Sequence, residues 1–93
     1  MKESDLERDA RLLVETNGGR LVKIRAVGIV GFPDRLALMP NGKCAYIEFK
    51  KPGKRPRRNQ FAWLNFLRSN GYEAFWTDRL SDVEAWVIGA DPE

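Results

Sequence analysis

A 93-residue chain with no histidine and a single cysteine excludes histidine- or thiolate-based metal centres and internal disulfides. Six cations crowd into nine residues (Lys50, Lys51, Lys54, Arg55, Arg57 and Arg58), and subtracting them from the net charge of +3 leaves the remainder at −3. Such a local cluster points to a polyanionic partner, while the absence of an apolar run approaching roughly 18 residues argues against a membrane span.

The first element reads as a helix from Ser4 to Thr16. Ser4 is placed as N-cap with Glu7 three residues on, a capping-box pattern. Leu6, Ala10, Leu13 and Val14 share one face, and Asn17-Gly18-Gly19 ends the helix. A strand is predicted from Arg20 to Ala26, with Leu21, Ile24 and Val27 as its apolar positions. Gly28 to Gly31 reads as a loop or frayed strand. Asp34 to Met39 forms the second strand, and Pro40-Asn41-Gly42-Lys43 makes a hairpin turn. Cys44 to Lys50 is the third strand, with Cys44 expected as a small buried residue. Pro56 fits a first helical turn, and the helix that follows runs to Asn70, with Phe61, Leu64 and Leu67 on one side. Trp63 and Phe66 widen that apolar face and suggest burial against more than one partner. Glu73 to Thr77 is the fourth strand, and Ser81 caps a last helix over Asp82 to Ile88. Asp91-Pro92-Glu93 reads as a tail.

The order is therefore α-β-β-β-α-β-α in one domain, residues 1–93. The helix between strands three and four makes a crossover, so those two strands should be parallel. The result is an α/β fold with a mixed sheet and helices packed against it. At this length only roughly 60–65% of the unfolded surface is buried, so pairing with a second copy would help.

Chemistry concentrates at the end of the predicted hairpin. Glu48 and Lys50 are two apart on a strand and point to one side, while Ala45, Ile47 and Phe49 point to the other. Charged residues in a strand expected to be buried on both faces mark a functional place. Pairing Met39 with Cys44 would put Asp34 beside Phe49, within one step of both Glu48 and Lys50. Two carboxylates and an ammonium then meet around one point. Oxygen donors suit magnesium or manganese. Asp34 and Glu48 would hold the cation, with the Phe49 carbonyl as a neutral donor. Lys50 would orient the attacking water or steady the phosphate. Glu7 is a fourth polar member at the edge of the first helix's buried face, preferred over Glu3. Gln60 places an amide among inward-facing residues, where it would bond a water, a phosphate or Lys50. Lys51, Lys54, Arg55, Arg57 and Arg58 would contact DNA phosphates. The loop Val27–Phe32 carries few polar groups, so substrate contact from it would use backbone amides. The three tryptophans are expected as core or dimer contacts rather than base-stacking platforms.

Gly31-Phe32-Pro33-Asp34-Arg35, Tyr46-Ile47-Glu48-Phe49-Lys50, Pro52-Gly53 and Gln60 together resemble the VRR-NUC domain of the PD-(D/E)xK nuclease superfamily. Glu3-Ser4-Asp5-Leu6-Glu7 is similar to the opening helix of that family. The resemblance implies a restriction-endonuclease-like fold and a magnesium- or manganese-dependent DNA endonuclease. Asp34, Glu48 and Lys50 match the catalytic core, Glu7 the helical glutamate and Gln60 the glutamine after the core. Stand-alone members resemble phage proteins and archaeal Holliday junction resolvases, which implies a homodimer acting on branched DNA such as four-way junctions or flaps. Cleavage would leave a 5′-phosphate and a 3′-hydroxyl. The lack of a signal core and the single cysteine place the protein by default in the cytoplasm of a bacterial or phage-infected cell. Two other readings are a non-catalytic DNA-binding or assembly module of the same fold, and a sequence-specific restriction-like endonuclease.

Overall fold

The computed structural model describes residues 2–89. Its elements are α1 (Glu3–Thr16), β1 (Arg20–Lys23), β2 (Arg35–Leu38), β3 (Cys44–Phe49), α2 (Arg58–Ser69), β4 (Ala74–Thr77) and α3 (Leu80–Val87), with a short 3-10 turn at Pro40–Gly42. The expected order α-β-β-β-α-β-α holds. The predicted tail, Asp91-Pro92-Glu93, lies outside the described residues.

The sheet runs β1-β2-β3-β4. β1–β2 and β2–β3 are antiparallel and β3–β4 is parallel, as the α2 crossover requires. β3 is therefore central, and its two parities face two different cores. On one side Ala45, Ile47 and Phe49 pack with Ala37, with Leu6, Ala10 and Val14 of α1, and with Val83 of α3. On the other side Leu64 and Leu67 of α2 pack with Ala74, Phe32, Tyr46 and Trp76. The apolar period of α1 dictates the first core, since Leu6, Ala10 and Val14 recur at four-residue spacing and are all buried.

Local chemistry moves several boundaries. Helix α1 starts one residue earlier than predicted, with Lys2 as N-cap and Asp5 accepting the Lys2 backbone N–H at 3.1 Å. Asp5 takes the role assigned to Glu7, and the Glu7 side chain is released for a tertiary contact. The hairpin turns in three residues rather than four, because Asn41 and Gly42 both adopt positive φ (72° and 81°). Met39 then pairs with Lys43 through a 2.7 Å N–H···O bond. This shifts the register by one from the expected pairing.

β1 is shorter than predicted, and Val27 is exposed rather than an apolar strand position. Cys44 is exposed, not buried: it opens β3 opposite Leu38, at the solvent-facing end of the hairpin. Pro56 lies before α2, whose N-cap is Arg57, and it is buried there. Phe66 is also half-exposed instead of packed against a second element. Helix α3 begins at Leu80 with Arg79 as N-cap, so Ser81 does not cap it.

Trp63, Trp76 and Trp86 are all partly buried. Trp63 stands edge-on to Phe32 and Phe66, Trp76 packs edge-on to Phe61, and Trp86 donates its indole N–H to Glu73. These are packing positions.

Candidate active site

The three-residue turn decides where the site forms. The β2–β3 ladder pairs Arg35 with Ile47. One further step places Asp34 directly across from Glu48, not across from Phe49. Residues opposite each other in an antiparallel pair project to the same side. Asp34 and Glu48 therefore share the α2 side of the sheet with Lys50. The Asp34 backbone is fixed from its other flank as well, since its carbonyl accepts the Ile24 N–H at 2.8 Å.

Glu48 is buried, with 7% exposure. Its Oε2 lies 3.6 Å from Lys50 Nζ and accepts a hydrogen bond from Gln60 Nε2 at 3.2 Å. The orientation of the Gln60 amide is set by its other end. Its Oε1 accepts the Arg57 backbone N–H at 2.7 Å, satisfying an open donor at the start of α2. With the oxygen committed to the helix terminus, the NH₂ is left for Glu48. Gln60 is thus buried, bonded to Glu48 rather than to Lys50, and couples the start of α2 to the carboxylate. Burial raises the Glu48 carboxyl to about 7, helped by the neighbouring Asp34 carboxylate and by Glu3 and offset only in part by Lys50. A carboxyl in this state is starved of positive charge.

Glu7 sits at the same end of the sheet but is held by a different partner. Its Oε1 pairs with Arg35 Nη2 at 2.9 Å, and both side chains are largely buried. Desolvation raises the Glu7 carboxyl, Arg35 opposes that, and Glu3 and Asp34 add to it. Arg35 also reaches Asp34, with Nη1 to Oδ2 at 3.2 Å. The guanidinium links α1 to the aspartate at the end of β2. Arg35 alternates with Asp34 along β2 and emerges toward α1, where its charge meets Glu7.

Arg35 received no role from the sequence, although it directly follows Asp34. A cation on the α1 side of a half-buried strand was the available signal. Glu3 acts on both Glu7 and Glu48 electrostatically. The two helical carboxylates therefore border the site together. Among the described residues no three carboxylate or thiolate side chains stand close enough to cage a metal by themselves. Asp34 and Glu48 form a facing pair, and Phe49 contributes a backbone position between Glu48 and Lys50 while its side chain is buried in the opposite core.

Beyond β3 the chain enters the basic loop. Lys54 N–H bonds the Lys51 carbonyl in a turn, and Gly53 N–H bonds Asp78 Oδ2 at 3.2 Å. The Gly53–Asp78 bond anchors this loop at its turn, and the buried Pro56 anchors it where it enters α2. Lys51, Lys54, Arg55, Arg57 and Arg58 are all exposed, and among the described residues none forms an ion pair. The loop leaves β3 at Lys50 and enters α2 just before Gln60, so both of its ends adjoin the Glu48 cluster.

The VRR-NUC domain matches residues 2–79, which include every one of these side chains. The chain belongs to the VRR-NUC family. This VRR-NUC chain is 38% identical over 78 residues to "Putative nuclease p44" of Acyrthosiphon pisum secondary endosymbiont phage 1, covering 84% of each protein. A solved VRR_NUC domain superposes with a TM-score of 0.86 over 98% of this chain and 99% of that one, at 24% identity. That likeness establishes the fold. A VRR-NUC domain is a nuclease domain, and no described helix here is long and apolar enough to cross a membrane.

Proposed function

We propose that this chain is a divalent-metal-dependent DNA endonuclease that hydrolyses phosphodiester bonds in branched duplexes and works as a homodimer. The observation that carries the reading is the facing pair Asp34 and Glu48, with Lys50 against Glu48 and Gln60 fixing it. The donors fit a hard divalent cation. They are oxygen atoms, and the buried Glu48 carboxyl lacks enough positive charge around it to ionise readily. Asp34, Glu48 and the Phe49 carbonyl would hold magnesium or manganese, with Glu7 reached through rearrangement of its Arg35 pair or through water. When bound, the cation supplies charge neutralisation at the phosphate and acidifies water.

The protein's own groups account for the rest. Gln60 holds the Glu48 carboxylate in one orientation, so its geometry is set before substrate arrives. Lys50 keeps its ammonium beside Glu48, from where it orients the attacking water or stabilises the extra negative charge on the phosphate. Arg35 steadies Asp34 from the opposite side. Lys51, Lys54, Arg55, Arg57 and Arg58 lay the phosphate backbone across the opening, giving affinity that falls as salt rises. The described residues contain no zinc finger or comparable base-reading module, which favours selection by DNA shape. The phage relative named as a nuclease supports the hydrolytic reading.

The test is a panel of four-way junctions, flaps, nicked duplexes and linear duplexes, incubated with the purified protein and magnesium, manganese or chelator. Branched DNA should be cut with metal and left intact with chelator. DNA binding with no cleavage under any metal would instead establish a non-catalytic module. Cutting of linear duplex at one sequence, with branches ignored, would establish a restriction-like enzyme.

A further inference from the structure

The loop 25–33 between β1 and β2 carries a feature that phosphate binding does not use. It is closed at its base by the Ile24–Asp34 backbone bond, so it projects from the same end of the sheet as Asp34. Its tip is a tight turn in which the Ile29 N–H bonds the Ala26 carbonyl, with Gly28 at φ +81°. Val27 is 87% exposed, Val30 72% and Ile29 45%. Exposing three β-branched side chains in four residues costs solvation that a polar loop would avoid.

The base of the loop is rigidly seated. Pro33 is fully buried, and Phe32 stands edge-on between Tyr46 and Trp63, at 5.5 and 5.1 Å. Gly31 has φ +90°, and a Cβ there would lie 2.9 Å from the Asn59 backbone. Only glycine lets the loop press this closely on the first turn of α2. The base of the loop is thereby seated on Asn59, the residue that follows Arg57 and Arg58, and the apolar tip follows Arg25 in the chain.

We propose that Val27, Ile29 and Val30 form an apolar wedge that enters the exposed base step at a DNA branch while the flanking arginines hold the phosphates. The inference rests on the nuclease reading above and specifies how that site selects its substrate. Apolar side chains bracketed by cations match the make-up of a nucleic acid, with base faces between lines of phosphate. A second copy of this chain matches less well, because contact through this tip would bring the arginines of both copies together. Junctions and nicks present steps that are already partly unstacked, so a wedge there costs less than in continuous duplex.

The experiment uses the full chain in chelator with a four-way junction carrying 2-aminopurine beside the branch, and with an unbranched duplex of the same sequence. Binding of wild type should raise 2-aminopurine emission on the junction. Val27→Asn/Val30→Asn, whose side chains are solvent-facing and whose fold is checked by circular dichroism, should abolish that rise. The junction-to-duplex affinity ratio should fall at least about tenfold, as expected when two apolar side chains lose a buried destination. Unchanged emission and an unchanged ratio in the variant would overturn the wedge while leaving the nuclease reading intact. A variant that sediments as a smaller species than wild type would also overturn it, by assigning the tip to contact between copies. Failure of wild type to bind either DNA would overturn the wedge and the DNA reading together.

Discussion

The two sides of β3 are built from alternate residues of one six-residue strand, yet they obey opposite rules. Toward α1 and α3, Ala45, Ile47 and Phe49 are essentially inaccessible and wholly apolar. Toward α2, Tyr46 joins a small apolar cluster, but Glu48 and then Lys50 replace hydrocarbon with charge as the strand runs to its end. The first side gains stability from burial at roughly 25 cal/mol per Å². The second buries a carboxyl that must be compensated by Gln60 and Lys50 and is compensated only in part. One side of the strand holds the domain together, and the other holds reactive groups in place.

The widest separation between the sides should appear in activity. Asp34→Ala and Lys50→Ala are expected to lower metal-dependent cleavage at least about 100-fold, the scale of losing a transition-state contact. Circular dichroism of both should match wild type, and the urea midpoint of Asp34→Ala should stay close to it, whereas Lys50→Ala should lower the midpoint by leaving the buried Glu48 less compensated. Retained cleavage in both variants would remove the distinction altogether.

Phe49→Ala probes the other side of the same strand. It should cost about 3–5 kcal/mol in urea unfolding. Against a total of roughly 5–10 kcal/mol for a domain of this size, that is a large share. A loss below about 1 kcal/mol would mean that the α1–α3 core does not depend on close packing around this ring.

The smallest effect is a matter of pH. Glu48 titrates near 7 in the folded chain against an ordinary value of 4.5. The fold therefore favours the protonated carboxyl. Its contribution to stability is fully present below about pH 4.5 and is lost as pH rises through about 7. In chelator, wild type should lose stability between pH 5 and pH 8, whereas Glu48→Gln, which cannot ionise, should lose less. Equal pH slopes in urea melts of the two proteins would show that Glu48 is not the group under strain.

Much of this was readable from residue spacing. The i, i+4, i+8 run Leu6, Ala10, Val14 fixes a helix face without knowledge of its partner. The period of two in Ala45, Ile47 and Phe49 divides β3 into its two sides. Asp34, Glu48 and Lys50 signalled one cluster. Less legible were features set by competition between neighbours. Asp5 displaced Glu7 from the helix start because it reaches the Lys2 N–H from the N3 position, and Glu7 turned instead to Arg35, 28 residues away. Arg35 was missed as a neighbour of the candidate site because its pairing with Glu7 crosses between elements, and Glu3, weighed only as an alternative to Glu7, acts on Glu7 and Glu48 alongside it. The exposed position of Cys44 depends on where the hairpin ends, which the apolar run around it did not show.

By itself the sequence determined the element order, the parallel crossover and the segregation of charge at the end of β3, because periodicity and the handedness of connections are local or nearly local constraints. The tertiary structure alone decided the register of the hairpin, and with it that Asp34 faces Glu48. It also decided that Gln60 bonds both Arg57 and Glu48, and that the Val27–Val30 tip stands in solvent on a loop whose base is seated on Asn59. Each of those outcomes depends on two distant segments meeting at a distance of a few ångströms, and a turn shorter by one residue is enough to change which side chains meet.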